Sequence, residues 1–172
     1  MYGGVVSDEN GSGPSDQTNW DRTFLRGLQK TDADGTVQFS TLFPGHYIGR
    51  TNHIHVLLHP NATPYPNGSI IDTTAAHVGQ MYFDQDLVSQ VEEQQPYASN
   101  KQPLTTNDED QLLQGDLSQG GNPIMQHRLL GDKIEDGILA WLSFGINATQ
   151  KNTVHPTATY FSKGGLCTPA VK

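Results

Sequence analysis

The pattern of apolar and polar positions predicts short strands separated by polar loops. Partial alternation in Phe24–Lys30 and Thr36–Thr41 predicts two strands, and Asp34-Gly35 between them is typical of a hairpin turn. A denser apolar run, His53–His59, predicts a buried strand. Three further strands are predicted at Gln80–Phe83, Met125–Leu130 and Ile138–Ile146.

One segment has the periodicity of a short amphipathic helix. Asp84 is a suitable N-cap for a helix that runs to Glu93, with an apolar face formed by Leu87, Val88 and Val91. The other segments are polar and predict loops at residues 3–21, 61–69 and 94–121, a single helical turn around residues 108–113, and a surface tail from residue 148. The sum is a mainly β domain: an antiparallel β-sandwich or open barrel with long loops and one short helix.

Length and composition fit this interpretation and narrow the range of partners. A chain of 172 residues suits a single domain spanning residues 1–172. Its net charge of −8 and pI near 5.1 argue against a nucleic-acid or anionic-membrane partner. No apolar run reaches the roughly 18–20 residues that a membrane span needs. Nothing in the sequence indicates an oligomeric state.

Glycosylation motifs and cysteine usage bear on location. Four Asn-x-Ser/Thr motifs begin at Asn10, Asn61, Asn67 and Asn147 and favour a secreted protein. The chain opens without a signal segment, so we interpret it as starting inside the mature domain. Cys167 is the only cysteine, which leaves two readings, an inert thiol or a partner for a cysteine outside this chain.

The candidate chemistry lies in one stretch, where Tyr47 precedes a His-x-His pair. On a strand, His53 and His55 point to the same face and offer two neighbouring imidazole ligands. The alternatives are a polar strand face or a hydrogen-bonded core pair. A phenol has a pKa of about 10 and becomes a ligand only beside a strongly Lewis-acidic ion. A Tyr/His set therefore indicates ferric iron ahead of zinc, magnesium or calcium.

Several motifs together resemble the intradiol ring-cleavage dioxygenases, in their extracellular fungal-type branch. They are Phe24-Leu-Arg-Gly-Leu-Gln, Phe39-x-Thr-x-Phe-Pro-Gly-His-Tyr47-x-Gly-Arg50-x-x-His53-Ile-His55, Gly79-Gln80-Met-Tyr-Phe-Asp-Gln-Asp86 and Leu130-Gly-Asp-x-x-x-Asp-Gly-x-Leu-Ala-Trp141. The resemblance implies a β-sandwich core that holds a non-haem Fe(III) ion. It also implies cleavage of catechols or polyphenols by O2 to muconate-type diacids.

The resemblance also assigns site residues. Family members bind iron through two tyrosines and two histidines, which correspond here to Tyr47, His53, His55 and, at the chain start, Tyr2. The family's segment before that first tyrosine is missing from this chain. Arg50 matches an active-site arginine that stabilises developing negative charge. Gln80 matches a fixed amide near the ligands and the substrate.

Two other functions remain open from the sequence. The first is a secreted non-catalytic module of the same fold that binds a wall polymer or a phenolic. The second is a His-x-His zinc or copper hydrolase or oxidase, although no His-Glu-x-x-His motif supports it.

Overall fold

The structure is a computed structural model that describes residue 25 and residues 27–60, 62–66, 69–70 and 72–154, together with the backbone of residues 158–161 and 164–167. The predicted loop at residues 3–21 and the predicted ligand Tyr2 lie outside these residues. The described residues divide into two compact units. One unit holds the residues up to Phe43, Leu57–His77 and those from Asn147 onward, and the other holds Pro44–Val56 and Val78–Ile146. The single domain at residues 1–172 stays a prediction.

Short strands are the main regular elements of the described chain. In chain order they are β1 (His53–Leu58), β2 (Thr74–Ala75), β3 (His77–Tyr82), β4 (Gln126–Leu129), β5 (Ile138–Trp141), β6 (Asn152–Thr153), β7 (Ala158–Phe161) and β8 (Gly164–Cys167). Two α-helices, α1 (Gln85–Glu92) and α2 (Gln111–Ser118), lie between β3 and β4. Two 3-10 turns occupy Tyr97–Ser99 and Ile134–Asp136. None of these helices is long and apolar enough to cross a membrane.

The strands of the described residues pair two by two. β1 pairs with β3, and the other pairs, β2 with β6, β4 with β5 and β7 with β8, are antiparallel. The prediction of a β-rich fold with few helices is confirmed. The sandwich itself stays a prediction, because the sheets among these residues are small and do not close.

Helix α1 forms as its sequence predicts. The Asp84 carboxylate accepts a hydrogen bond from the Leu87 backbone N–H, which satisfies one of the free donors at the helix start. Leu87, Val88 and Val91 are buried, as the apolar spacing indicated. Each such side chain stabilises the fold by roughly 1.5–3 kcal/mol when fully removed from water.

Helix α2 is longer than the single turn that the sequence predicted. Asp110 caps it through hydrogen bonds from the Leu112 and Leu113 backbone N–H groups, and Leu113 is fully buried. Gly115 interrupts the apolar period within this helix, and glycine lowers helix propensity. The prediction of one short helix was therefore wrong, because a cap and one buried leucine outweigh weak local propensity.

The predicted hairpin around Asp34-Gly35 is present only as a turn. Gly35 has φ = 77°, and the Asp32 carboxylate accepts from the backbone N–H groups of Asp34 and Thr36. Residues 36–41 and the described residues of 24–30 form no strand, so the strand predicted at Thr36–Thr41 was wrong, while residues 24 and 26 of the other predicted strand lie outside the described residues. In Thr36–Thr41 the apolar side chains of Val37 and Phe39 are exposed. A two-stranded hairpin without a buried face is marginal in water.

The predicted surface tail from residue 148 was also wrong, since it contains β6, β7 and β8. Strand β6 pairs with β2, and the Asn152 side chain donates to the Ala75 carbonyl oxygen at 3.0 Å. Backbone pairing of this kind needs no apolar pattern, so the Thr/Asn-rich sequence did not reveal it. The predicted strand Ile138–Ile146 ends earlier, at Trp141.

The turn at Gly35 gives a test of the local backbone. An added Cβ would meet nothing within 4 Å, so Gly35→Ala strains only the positive φ. We expect a loss of about 1 kcal/mol in the free energy of unfolding, measured by urea titration. The control is Gly145→Ala, which also meets nothing within 4 Å but lacks a positive φ. Equal stabilities of the two variants would contradict the turn assignment.

Candidate metal centre and active site

Tyr47, His53 and His55 gather in one place, within the unit formed by Pro44–Val56 and Val78–Ile146. The Nε2 atoms of His53 and His55 are 3.2 Å apart, and the Tyr47 hydroxyl lies 3.4 Å from His53 Nε2. Two donor atoms that share an ion with bonds of roughly 2 Å lie about 3 Å from each other. The geometry therefore suits a single ion held by these side chains, while their role as ligands stays a prediction.

The neighbouring backbone sets the tautomer of His53. Its Nδ1 lies 2.6 Å from the Thr51 carbonyl oxygen, and because a carbonyl only accepts, Nδ1 carries the proton. The lone pair is then on Nε2, the atom that faces Tyr47 and His55. A metal-binding histidine is commonly fixed by such a hydrogen bond from its other nitrogen.

Burial keeps both imidazoles neutral. It lowers the pKa of His53, although the bond to Thr51 opposes the shift. Burial, and then the neighbouring His53, lower the pKa of His55 to about 4. Near neutral pH both rings are therefore in the form that binds a metal ion.

A tight turn places Tyr47 beside the strand that carries the histidines. The Arg50 backbone N–H donates to the Tyr47 carbonyl oxygen at 3.2 Å, and Gly49 has φ = 82°. Positive φ at the third of four turn residues favours glycine, which explains the Tyr-x-Gly-Arg sequence. Tyr47 and Arg50 are consequently held at opposite ends of one turn.

A second set of contacts braces this turn. The His46 Nδ1 atom lies 2.9 Å from a Glu92 carboxylate oxygen, although the two are not aligned as a hydrogen bond. The Asn52 side chain is fully buried and donates to the same carboxylate and to the Pro44 carbonyl oxygen, each at 2.7 Å. Asn52 therefore links Glu92, at the end of α1, to Pro44 on the other side of Tyr47.

Arg50 lies among three polar side chains. Its Nε donates to Asp110 at 3.0 Å, and its Nη2 donates to the Tyr82 hydroxyl at 3.0 Å and to the Gln80 amide oxygen. The Tyr82 hydroxyl donates to the same Gln80 oxygen at 2.6 Å. Gln80 and Tyr82 share one face of β3 because they are two residues apart. The Tyr82 ring lies 5.8 Å from the His53 ring, centroid to centroid.

In this group Arg50 and Asp110 are charged, and Tyr82 is neutral. Burial opposes the charge on Arg50, but the hydrogen bond and attraction of Asp110 prevail and raise its pKa. Burial likewise opposes ionisation of Asp110, yet hydrogen bonds from Leu113 N–H, Thr51 N–H and Arg50 lower its pKa. Burial raises the pKa of Tyr82 to about 12. The group thus contains one ion pair and one neutral phenol.

The structure brings together all the predicted site residues that it describes. They are Tyr47, Arg50, His53, His55 and Gln80, and together with Tyr82 and Asp110 they form the site network. The sequence did not single out Tyr82 or Asp110. Tyr82 could have been found from its i+2 spacing to Gln80 on a predicted strand. Asp110 precedes a Gln-Leu-Leu run as a helix cap would, but no local pattern indicates its contact with Arg50.

The donor set suits a ferric ion better than the common divalent ions. No group of three or more His, Cys, Asp or Glu side chains gathers to hold a metal within the described residues. The third donor beside the two imidazoles is the Tyr47 phenol, which is a ligand for a strongly Lewis-acidic ion. Tyr2, the predicted fourth ligand, lies outside the described residues.

Comparison with known proteins puts these observations in context. No protein-family model matches the chain, and no curated protein matches it at a significant level. The fold and the Tyr/His group define a β-rich protein with a candidate metal centre. The structure is similar to an intradiol ring-cleavage dioxygenase from Tetranychus urticae, with a TM-score of 0.55 and 30% identity over 71% of this chain and 53% of that one.

A second solved structure, described as a dioxygenase, matches with a TM-score of 0.54 and 30% identity over 71% of this chain and 52% of that one. The chain therefore spans about half the length of the solved structures it resembles. The similarity covers sequence as well as fold, and it supports the resemblance of this chain to the intradiol dioxygenase family. The fungal-type branch is not addressed by either match.

The low pKa of His55 has a consequence for stability in the metal-free chain. The folded pKa of about 4 lies below the unfolded value of about 6.5, so the unfolded chain binds more protons between the two. The stabilisation is complete above pH ~6.5 and is lost as the pH falls toward about 4. We expect the urea midpoint to decline over this range and to decline less steeply for His55→Gln. Parallel pH profiles for the two chains would contradict burial of a neutral His55.

Proposed function

We propose that this chain belongs to the intradiol ring-cleavage dioxygenases and acts as an Fe(III)-dependent enzyme. Its substrates are a catechol-type ring, alone or within a polyphenol, and O2, and its products are muconate-type diacids. The observation that carries the proposal is the gathering of Tyr47, His53 and His55 beside Arg50 and Gln80 in one unit. The likeness to a solved intradiol dioxygenase supports it.

In this proposal Tyr47, His53, His55 and Tyr2 hold the ion. Ferric iron supplies the Lewis acidity that binds a catechol as its dianion and makes the ring reactive toward O2. The neutral imidazoles bind without releasing a proton, since burial has already lowered the pKa of each. Of the two protons that a catechol loses on binding, one would pass to the tyrosinate oxygen of a ligand and the other to solvent.

Arg50 supplies a fixed positive charge beside the reacting ring. Its planar guanidinium cannot lose its proton near neutral pH, and Asp110 holds it by Nε. Negative charge that builds on the substrate during oxygen attack is then stabilised by a donor that needs no reorganisation. Gln80 accepts through its amide oxygen from Arg50 and Tyr82, so its amide N–H groups are what it can offer to a substrate.

We also propose that the protein is secreted and belongs to the extracellular fungal-type branch. The support is the set of four Asn-x-Ser/Thr motifs and the short spacing from Tyr47 to His53. Asn147, which begins one of these motifs, is exposed, as attachment of a glycan requires.

The function is tested by loading the purified chain with Fe(III). We expect a visible tyrosinate-to-iron absorption band and conversion of catechol to a muconate-type product in the presence of O2. Tyr47→Phe should weaken and shift the band, to which Tyr2 still contributes, and should remove most of the activity, whereas Tyr65→Phe, at an exposed tyrosine, should change neither. Iron-loaded protein without colour or product would exclude the proposal. Phenolic binding without turnover would instead favour the non-catalytic module.

The same assay tests the fourth ligand separately. If Tyr2 binds iron, Tyr2→Phe shifts the visible band and lowers the iron content. An unchanged band and unchanged iron content would show that Tyr2 is not a ligand in this chain.

Arg50→Ala should separate electrostatic catalysis from metal binding. We expect iron to remain bound while kcat falls roughly 100- to 1000-fold, the scale seen when one preorganised donor is removed from an active site. Arg128→Ala, at an exposed arginine on β4, serves as the control for a general loss of positive charge. Loss of iron together with activity would mean that Arg50 holds the centre together and is no catalytic donor.

A further inference from the structure

The Asp110 carboxylate is fully buried and joins two parts of the molecule. One oxygen accepts from the backbone N–H groups of Leu112 and Leu113, at 3.0 and 3.1 Å, and thereby caps α2. The other oxygen accepts from Thr51 N–H at 2.9 Å and from Arg50 Nε at 3.0 Å. The four donors together offset the cost of removing this charge from water.

This arrangement fixes the direction of the Arg50 side chain. A guanidinium is planar and rigid, so holding Nε at one place sets where the two terminal nitrogens point. With Nε on Asp110, the Nη2 atom meets Gln80 and Tyr82. Capping α2 needs only one of the two carboxylate oxygens. The second oxygen binds Arg50 and Thr51 instead.

The same oxygen reaches the histidines through Thr51. Asp110 holds the Thr51 N–H, and the Thr51 carbonyl accepts from His53 Nδ1. The Thr51 hydroxyl donates to Asn107 at 2.8 Å, and Asn107 in turn donates to the Phe83 carbonyl oxygen. Thr51, between Arg50 and His53, is therefore held through its backbone N–H, its backbone carbonyl and its hydroxyl.

We infer that Asp110 is a positioning residue that acts through Arg50: it aims the guanidinium at Gln80 and the substrate region. This inference rests on the proposed function. The competing explanation is that Asp110 only caps α2 and supports the fold.

The first test is Asp110→Asn. Asparagine caps helices about as well as aspartate, so α2 keeps its cap. Its amide nitrogen, however, then faces two donors, Arg50 Nε–H and Thr51 N–H, and the guanidinium loses its acceptor. We expect kcat to fall roughly 10- to 100-fold, with a smaller change in KM. Asp110→Ser, which also caps but lacks the second oxygen, should give a similar loss and covers the case in which Asp110→Asn fails to fold.

The decisive measurement is a double-mutant cycle with Arg50→Ala. If Asp110 acts through Arg50, then Asp110→Asn lowers kcat by less than about threefold once Arg50 is absent. Multiplied losses in the double variant would show independent action and would overturn the inference. An unchanged kcat in Asp110→Asn alone would overturn it as well.

Asp84→Asn is the matched control, because Asp84 caps the other eight-residue helix, α1, and its carboxylate contacts Leu87 N–H and His127 among the described residues. We expect it to retain wild-type kcat; a loss equal to that of Asp110→Asn would mean that capping explains both.

A second readout does not depend on activity. In the metal-free chain, the shifts in urea midpoint caused by Asp110→Asn and Arg50→Ala should not add, because each variant breaks the same pair. Additive shifts would contradict the coupling. If wild-type protein cleaves no catechol, the proposed function fails, and this stability cycle still decides whether Asp110 and Arg50 act as a pair.

Discussion

The buried ion pair of Arg50 and Asp110 is the interaction on which the candidate site depends. A carboxylate with no exposed surface is tolerated because four donors surround it. Breaking such a pair by removing one partner costs on the order of 3–5 kcal/mol, since it leaves a buried charge without compensation. The pair therefore constrains two distant segments, the start of α2 and the turn before β1, to meet in a single arrangement.

Short-range features build the rest of the site, and the sequence analysis predicted one of them, the placing of His53 and His55 on one face of a strand, but not the turn at Gly49. A positive-φ glycine closes the turn between Tyr47 and Arg50. The two-residue period of β1 sets His53 beside His55. These features follow from residues a few positions apart, so a local pattern suffices to predict them. The Asp110 contact joins residues 60 positions apart, and only the folded chain brings them together.

The same distinction explains which elements were predicted correctly. Helix α1, with its cap and apolar face, and strands β1, β3 and β4 carry their signals locally. Strand β6 forms because its backbone finds β2, while the strand predicted at Thr36–Thr41 does not form because no buried face covers it. For β6 and for the segments around Asp34-Gly35, tertiary contacts that the sequence pattern does not contain decide whether a strand forms.

The electrostatics of the site favour anionic oxygen ligands even before an ion is present. Arg50 carries a permanent charge, and together with burial it helps to lower the pKa of His53 and His55. Each imidazole is thus neutral, while a phenolate at Tyr47 gains from the nearby guanidinium, as the effect of Tyr47 on the Arg50 pKa indicates. Because Asp110 already balances Arg50, the pair can be buried without forcing a histidine to take up a proton. Among the described residues the site thus combines two neutral imidazoles with one ionisable phenol, Tyr47, a donor set typical of sites for hard, strongly Lewis-acidic ions.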